Sequence, residues 1–412
     1  MDYKKQTLLN TVANVVYLAV QWLFTVFATR LVSVEVAGVL TFSVSLTNIL
    51  YTIENYGMRP YQVSDSEGEF SSKQYINLRY FTTAIGIGMC VVFLLITGYT
   101  LEKAAVIFLF FMYRSAEAVS DVYFGELQKR EKLHLSAYSM LAKSVISAVL
   151  FGLLTYLTKG LVIPLLVITV IAYLFVFADR CVYVKAGNVQ RNPEEPSSIK
   201  GPLKVGFFMM LAMLFPIMVT SLPRMSLDAF YGEEMLGYFG NVAMPTTLIV
   251  AIVPNILTPI MSLYGRWLSE GKYKELRKMY VFTLIGSAAV AGVFLLGFLL
   301  LGEFFMSFIY GEDIIPYLHY MYPLIITTTL YAITMCNTSV LIAMRSNAIV
   351  WISSALSCVV TAACCFLLVK PFGIEGLILT LGVAYALQIA VQEVGIIKSF
   401  LLQIKNPDLK EE

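Results

Sequence analysis

Three charged residues interrupt one apolar stretch of the chain at i, i+3 and i+7: Arg114, Glu117 and Asp121. At 100° per residue they fall within about 60° of one helix face, so they point the same way. Two kinds of chemistry fit that spacing. Arg114 can meet an anionic group while the acids tune it or carry a coupling ion, or Arg114 and Glu117 can close an i, i+3 ion pair that neutralises both charges inside a helix bundle. A second apolar stretch holds Arg224 and Asp228 at i, i+4, and Arg30 and Arg59 lie near the ends of two others. A guanidinium never deprotonates and offers planar, multidentate donors, which suits a phosphate-bearing group. The competing use of an arginine at the end of an apolar span is to reach phospholipid head groups. Asn10, Asn14 and Gln21 recur at spacings of four and seven and so share a face able to meet hydroxyl-rich molecules. Glu54, Asp121, Asp228 and Glu393 are acids able to take up a proton or Na⁺, with Glu117 beside them; each also fits a paired structural acid.

Other chemistry is poorly served. There are two separated histidines, His134 and His319, and six cysteines that all fall in apolar runs, where cysteine behaves as a small hydrophobe. No CxxC, HExxH or CxxCH pattern occurs, so no zinc site and no metal cofactor are expected.

The elements that hold these residues follow from composition. Hydrophobic residues make up 58% of the 412 and charged ones 14%, against roughly a quarter charged in an ordinary soluble domain. Such a chain buries its apolar surface in a bilayer, and nucleic acid is not an expected partner. Spanning-length apolar runs lie at about 8–29, 36–57, 76–98, 104–124, 135–157 and 160–183, then at about 205–228, 235–262, 278–301, 315–343, 348–369 and 374–398. The expected fold is therefore all-α, a polytopic membrane protein of about twelve transmembrane helices. The N-terminus, Met-Asp-Tyr-Lys-Lys, enters the first run without a small-residue cleavage site and reads as an uncleaved span.

Most of the 29 basic residues fall in alternate connections, among them Arg59, Lys73 and Arg79, the cluster Lys129, Arg130 and Lys132, and the run from Lys272 to Lys278. The other connections hold only Arg30, Lys103, Lys159, Arg224 and Lys370. This bias places both termini in the cytoplasm. A polar break with three prolines at the middle of the chain divides it into a six-helix lobe at 1–186, a cytoplasmic linker at 187–204 and a second six-helix lobe at 205–412. The two halves repeat weakly: Glu35-Val-Ala-Gly38 matches Glu234-Met-Leu-Gly237, and 128–141 aligns with 343–356, pairing Arg130 with Arg345 and Ser139 with Ser354. An even number of helices per copy gives a parallel repeat, which implies a pseudo-two-fold axis along the membrane normal. Pro216, Pro223, Pro245, Pro254 and Pro259 crowd the seventh and eighth spans and are expected to kink them. The Tyr and Trp residues suit stacking on sugar rings, though interfacial belts account for most of them.

The segment Leu222-Pro223-Arg224-Met225-Ser226-Leu227-Asp228, followed by the turn Gly232-Glu233-Glu234-Met235-Leu236-Gly237-Tyr238, resembles the multidrug/oligosaccharidyl-lipid/polysaccharide (MOP) exporter superfamily, and within it the Wzx-type polysaccharide flippases. The layout, the cytoplasmic termini and the basic central loop extend the resemblance over nearly the whole chain. It implies a MATE-like fold of two six-helix lobes working by alternating access in a bacterial inner membrane. The implied cargo is an undecaprenyl-diphosphate-linked oligosaccharide repeat unit destined for O-antigen, capsule or a related glycan. Membrane lipids, a glycan polymerase and assembly proteins are the implied partners of a monomer, with no cofactor beyond H⁺ or Na⁺ as coupling ion. The chain departs from the related lipid II flippases in being too short for their two extra helices. On this reading Arg30 and Arg224 are the first diphosphate contacts, Arg59 a contact at the inner end and Arg114 a lining residue. A multidrug or organic-cation antiporter is the alternative, favoured by cavity acids rather than arginines. A membrane-embedded enzyme would need long outer loops or a His/Asp constellation, which the chain lacks.

Overall fold

The computed structural model describes residues 3–65, 68–187, 196–247, 249, 267, 270–344 and 346–405, and no strand occurs among them. Residues 188–195 of the expected linker, and 250–262 of the expected eighth span with Pro254 and Pro259, lie outside the described residues. The helices group into two compact units, Met1–Ile217 and Met218–Glu412.

In the first unit the helices are α1 (Tyr3–Leu31), α2 (Val34–Asn55), α3 (Met58–Ser64), α4 (Ser72–Thr97), α5 (Leu101–Lys129), α6 (Leu133–Thr158) and α7 (Val162–Gly187). Side-chain caps set the starts of three of them. The Ser33 hydroxyl accepts from the Val36 N–H at the head of α2, and Thr100 does the same for the Lys103 N–H of α5. Ser71 and Gln74 form a reciprocal capping box on α4. A left-handed turn at Tyr56 and Gly57 ends α2 and redirects the chain into the short α3. A Cβ at Gly57 would lie 2.7 Å from the Met209 side chain, so glycine serves both the positive φ and the close approach.

Helix α5 is the centre of this unit and packs against α2, α3, α4, α6 and α7. Phe24, Phe110, Tyr113, Phe151, Leu165 and their neighbours form one apolar cluster around it, and Tyr75, Leu78, Val122, Tyr123 and Tyr183 another nearer its C-terminal end. Nine helical stretches among the described residues are long and apolar enough to cross a bilayer, and the longest, Asn347–Lys398, holds two of the expected spans. Its charged residues keep α5 out of that count, yet it runs 29 residues inside the bundle.

The start of α8 (Lys200–Ala243) also belongs to the first unit. Ahead of it, the Ser71 hydroxyl donates to the Pro196 carbonyl at 2.7 Å, the Gln74 amide to Ser198 at 2.7 Å and the Asn77 amide to Ser197 at 3.2 Å, tying an extended segment to α4. Met210 then completes the second apolar cluster.

Between α3 and α4, Asp65 accepts from the Glu69 and Phe70 N–H groups at 2.8 and 3.2 Å and from the Tyr75 hydroxyl at 2.9 Å, with Lys129 Nζ at 3.7 Å. Burial alone would push its carboxyl up; the backbone donors, Tyr75 and Lys129 outweigh it and hold it below the usual carboxylate range. A depressed folded value means the stabilisation is present above the ordinary carboxylate pKa and fades as pH falls through the depressed one. Asp65→Asn should therefore lower the melting temperature at neutral pH and narrow its gap to the parent as pH drops into the acid range. An unchanged gap across the titration would show that the charge contributes nothing.

In the second unit, α8 continues and is followed by α9 (Tyr273–Tyr310), α10 (Met321–Ala343), α11 (Asn347–Cys364) and α12 (Lys370–Lys405), with a 3₁₀ segment at Glu312–Tyr320 and a π turn at Cys365–Val369. Helix α8 ends at Ala243, and Pro245 falls in a short 3₁₀ segment, Met244–Thr246. Backbone angles stay helical at Pro216 and Pro223, and the non-helical angles within α8 fall at Gly232, where φ 83° and ψ 179° are open essentially to glycine alone. That break opens the turn of the Gly232–Tyr238 motif. It is held by Tyr231, whose hydroxyl donates to the Lys370 carbonyl at 3.0 Å. Helix α12 packs against α10 and α11, and α9 against α10. Much of α9 is exposed apolar surface, with Leu300, Phe304 and Phe308 each more than 70% accessible, a face that bilayer hydrocarbon covers.

Candidate functional site

The three charges of α5 share a face but serve two clusters. In the first, Arg114 Nη1 lies 2.5 Å from Glu117 Oε2, the Tyr17 hydroxyl donates to the same oxygen at 2.5 Å, and Lys143 Nζ stands 3.7 Å from Oε1. The Gln21 amide donates to the Tyr17 oxygen. The Arg114 guanidinium lies over the Tyr51 ring, 4.4 Å from its centroid. Glu117 and Lys143 are nearly inaccessible, so two cations share one buried carboxylate.

Asp121 belongs to the second cluster. Its Oδ1 pairs with Arg59 Nη1 at 2.6 Å and its Oδ2 with Arg79 Nη2 at 3.5 Å. Arg59 also donates to the Gln128 side chain at 2.9 Å, and Arg79 to the Glu54 carbonyl at 2.9 Å and to the Asn55 side chain. Glu54 is wholly buried; its Oε1 accepts from the Ser115 hydroxyl at 2.9 Å. Glu54, Asn55, Arg79 and Thr82 line a small cavity of about 10 Å³. At the end of α5, Glu126 accepts from Gln62 at 2.9 Å and from Ser72 at 2.5 Å.

The remaining candidates divide. Gln21 joins the Glu117 cluster, whereas Asn14 is exposed and spends its amide on the Asn10 carbonyl of its own helix at 2.9 Å. Arg30 is exposed at the end of α1. In the second unit, Glu393 accepts from Tyr280 and from the Asn337 amide. The i, i+4 ion pair of Arg224 with Asp228 is not found among the described residues. The Arg224 guanidinium lies over the Phe239 ring instead, Cζ 5.8 Å from the centroid, and its Nε is buried without a hydrogen bond. Among the described residues Arg224 has no ion-pair partner.

Sequence reasoning missed several members of these clusters. Arg79 lies just inside the run expected from 76 and reads as a basic residue of the adjoining cytoplasmic connection; α4, which starts at Ser72, instead holds it inside the bundle, where 4% of its side chain is accessible. The Ser71-x-x-Gln74 capping box marks that start in the sequence. Tyr17, Gln62, Lys143 and Glu126 come from other helices or positions and carry no signal in local spacing.

A multi-pass helical membrane protein with arginine-rich polar clusters buried in its bundles is the class these observations define, and its fold is that of the MOP superfamily transporters. It is similar to an inward-facing multidrug resistance MATE family transporter of that superfamily, with a TM-score of 0.75, 12% identity and 96% of each chain covered. It is similar also to the lipid II flippase MurJ in an inward closed conformation, with a TM-score of 0.70, 14% identity, and 100% of this chain and 93% of the other covered. The chain belongs to the polysaccharide biosynthesis protein family, whose model matches residues 3–264. Among curated proteins it is 23% identical over 313 residues to the capsular polysaccharide biosynthesis protein CapF of Staphylococcus aureus, covering 73% of this chain and 76% of that one.

Proposed function

We propose that this protein carries a lipid-linked oligosaccharide with a diphosphate head across a bacterial cytoplasmic membrane by alternating access, with both termini in the cytoplasm. Its work is transport rather than catalysis. Membership of a polysaccharide biosynthesis family and a fold shared with a lipid II flippase support the reading. The observation that carries it is Arg224, a half-buried guanidinium in a spanning helix whose charge no described carboxylate balances. Such a cation is costly in a membrane interior unless an anionic group meets it, and a diphosphate supplies one with oxygens to match the guanidinium fork. Arg30, exposed at the end of α1, is a further candidate for diphosphate contact, and Arg59 a candidate entry contact at the inner end of the second span. Either H⁺ or Na⁺ can drive the cycle.

The test is a reconstituted assay. Proteoliposomes loaded with a lipid-diphosphate oligosaccharide should expose it to an external glycan-oxidising reagent well above the rate in empty liposomes. Uptake of an organic cation without any glycan exposure would replace this reading with that of a drug antiporter.

A further inference from the structure

We propose that Tyr238, Tyr317 and Tyr320 form a stacking platform for the sugar portion of the cargo, at the end of the second unit that faces outward. The nature of the cargo and the outward direction rest on the transport reading above; the platform itself rests on ring geometry and charge.

The rings meet because three connections converge at one end of that unit: the turn after the Gly232 break in α8, the 3₁₀ segment Glu312–Tyr320, and the start of α12. Side chains three apart eclipse in a 3₁₀ helix, so Ile314, Tyr317 and Tyr320 stand in one row. Ile314 is buried and anchors that row, while Tyr317 and Tyr320 emerge half-buried. Tyr238, also half-buried, lays its ring against Tyr317 with centroids 4.0 Å apart and planes 13° apart. Tyr317 and Tyr320 stand 6.5 Å apart at 35°, and His319 lies against Tyr320 at 3.9 Å and 43°. The His319 Nδ1 proton goes to the Pro316 carbonyl at 2.7 Å, which in the neutral ring leaves Nε2 as an acceptor on an exposed side chain.

Ring orientation and charge together select the ligand. A quaternary ammonium is held in a cage of aromatic faces that surround it, whereas these three pairs are inclined by 43° or less and form a row. A row of that kind offers flat apolar faces with hydroxyls at their edges, which suits the C–H face of a sugar ring and its own hydroxyls. Residues 232–238 and 311–320 carry Glu233, Glu234, Glu312 and Asp313 and no Lys or Arg. Glu375, exposed at the start of α12, is within electrostatic reach of Tyr320, while Lys370 lies over the Phe230 ring. Anionic head groups are met by Lys and Arg. Carboxylates repel phosphate and accept hydrogen bonds from sugar hydroxyls.

The platform adjoins the proposed anchor. The Arg224 guanidinium lies over Phe239, the residue that follows Tyr238. In a lipid-diphosphate oligosaccharide the first sugar is bonded directly to the diphosphate, so a glycan anchored at Arg224 starts beside the tyrosines.

Saturation-transfer NMR on the full chain in lipid nanodiscs reads the site directly, with the producing cell's repeat-unit oligosaccharide, cleaved from its lipid by mild acid, as the probe. The parent should transfer saturation to the sugar C–H protons. Tyr317→Leu should lose that transfer, and Tyr317→Phe, which keeps the ring, should retain most of it. Tyr320→Leu, at the other end of the row, should show the same loss and serves if the first variant does not fold. Binding of the intact lipid-linked oligosaccharide should weaken by about two- to tenfold in Tyr317→Leu, with affinity for the bare lipid diphosphate unchanged. Parent-like transfer in the folded leucine variants would overturn the platform. So would an equal loss of affinity for the bare lipid diphosphate, which would make Tyr317 a packing residue, or a parent that binds tetramethylammonium at these rings and no sugar. Ring-dependent binding of the free oligosaccharide by a protein that moves no lipid-linked glycan leaves the platform standing and removes the transport reading instead.

Discussion

Arg224→Ala abolishes surface glycan in cells that depend on this protein, leaves lipid-linked repeat units on the cytoplasmic side of the membrane, and does so without loss of folded protein. A guanidinium–phosphate contact is a hydrogen bond to a charged group, worth about 1.5–3 kcal/mol, and 1.4 kcal/mol is tenfold in affinity. Removing it should weaken cargo binding by roughly ten- to a hundredfold. The unusual part of the expectation is stability. Arg224 has a buried Nε without a hydrogen bond and no ion pair among the described residues, so alanine removes a desolvation cost along with the ring contact to Phe239. The melting temperature should hold or rise while transport falls. Arg224→Lys keeps the charge as a point but not the planar fork, and should recover only part of the flux. Quantifying surface glycan beside thermal stability of the purified variant separates a binding role from a packing one; normal glycan in Arg224→Ala refutes the diphosphate contact.

The opposite balance holds at Glu117. Among the described residues this carboxylate is all that neutralises Arg114 and Lys143 within ion-pair distance, and it accepts the Tyr17 hydroxyl. Taking one partner from a buried ionic group strands the others, and the cost is about 3–5 kcal/mol. Glu117→Ala should lower the melting temperature of the purified protein by many degrees and reduce its yield. Replacing Arg114, Glu117 and Lys143 together by leucine should restore much of that stability, because apolar side chains of similar volume substitute well for a buried ion cluster. A single Glu117→Ala variant that melts like the parent would mean that solvent reaches the cluster and the charges stand alone.

These two residues also mark what could be read before any coordinates. Arg114 and Glu117 are neighbours on one helix, so their pairing is written in a spacing of three. Lys143 and Tyr17 reach the same carboxylate from α6 and α1, and nothing in local spacing brings those positions together. Arg224 and Asp228 show the converse: their spacing of four invites a pair, yet the guanidinium turns to Phe239. The helical, many-span architecture was legible because bilayer hydrocarbon imposes runs of about twenty apolar residues whatever the tertiary detail. Helix α3 was not, since seven residues after a left-handed Tyr56-Gly57 turn look like any polar connection. The buried Arg79 was hidden because an arginine three residues into a span reads as one more basic residue of the flanking connection.

The way the first turns of α8 sit in the first unit bears on how the chain is made. Gly206 abuts Met58 and Tyr56, Gly201 abuts Phe70, and Met210 fills the apolar cluster that those residues share. A nascent chain released only as far as α7 still exposes that surface. The amino-terminal half therefore reaches its finished packing only after the ribosome has delivered residues up to about 217, well into the helix that begins the other half.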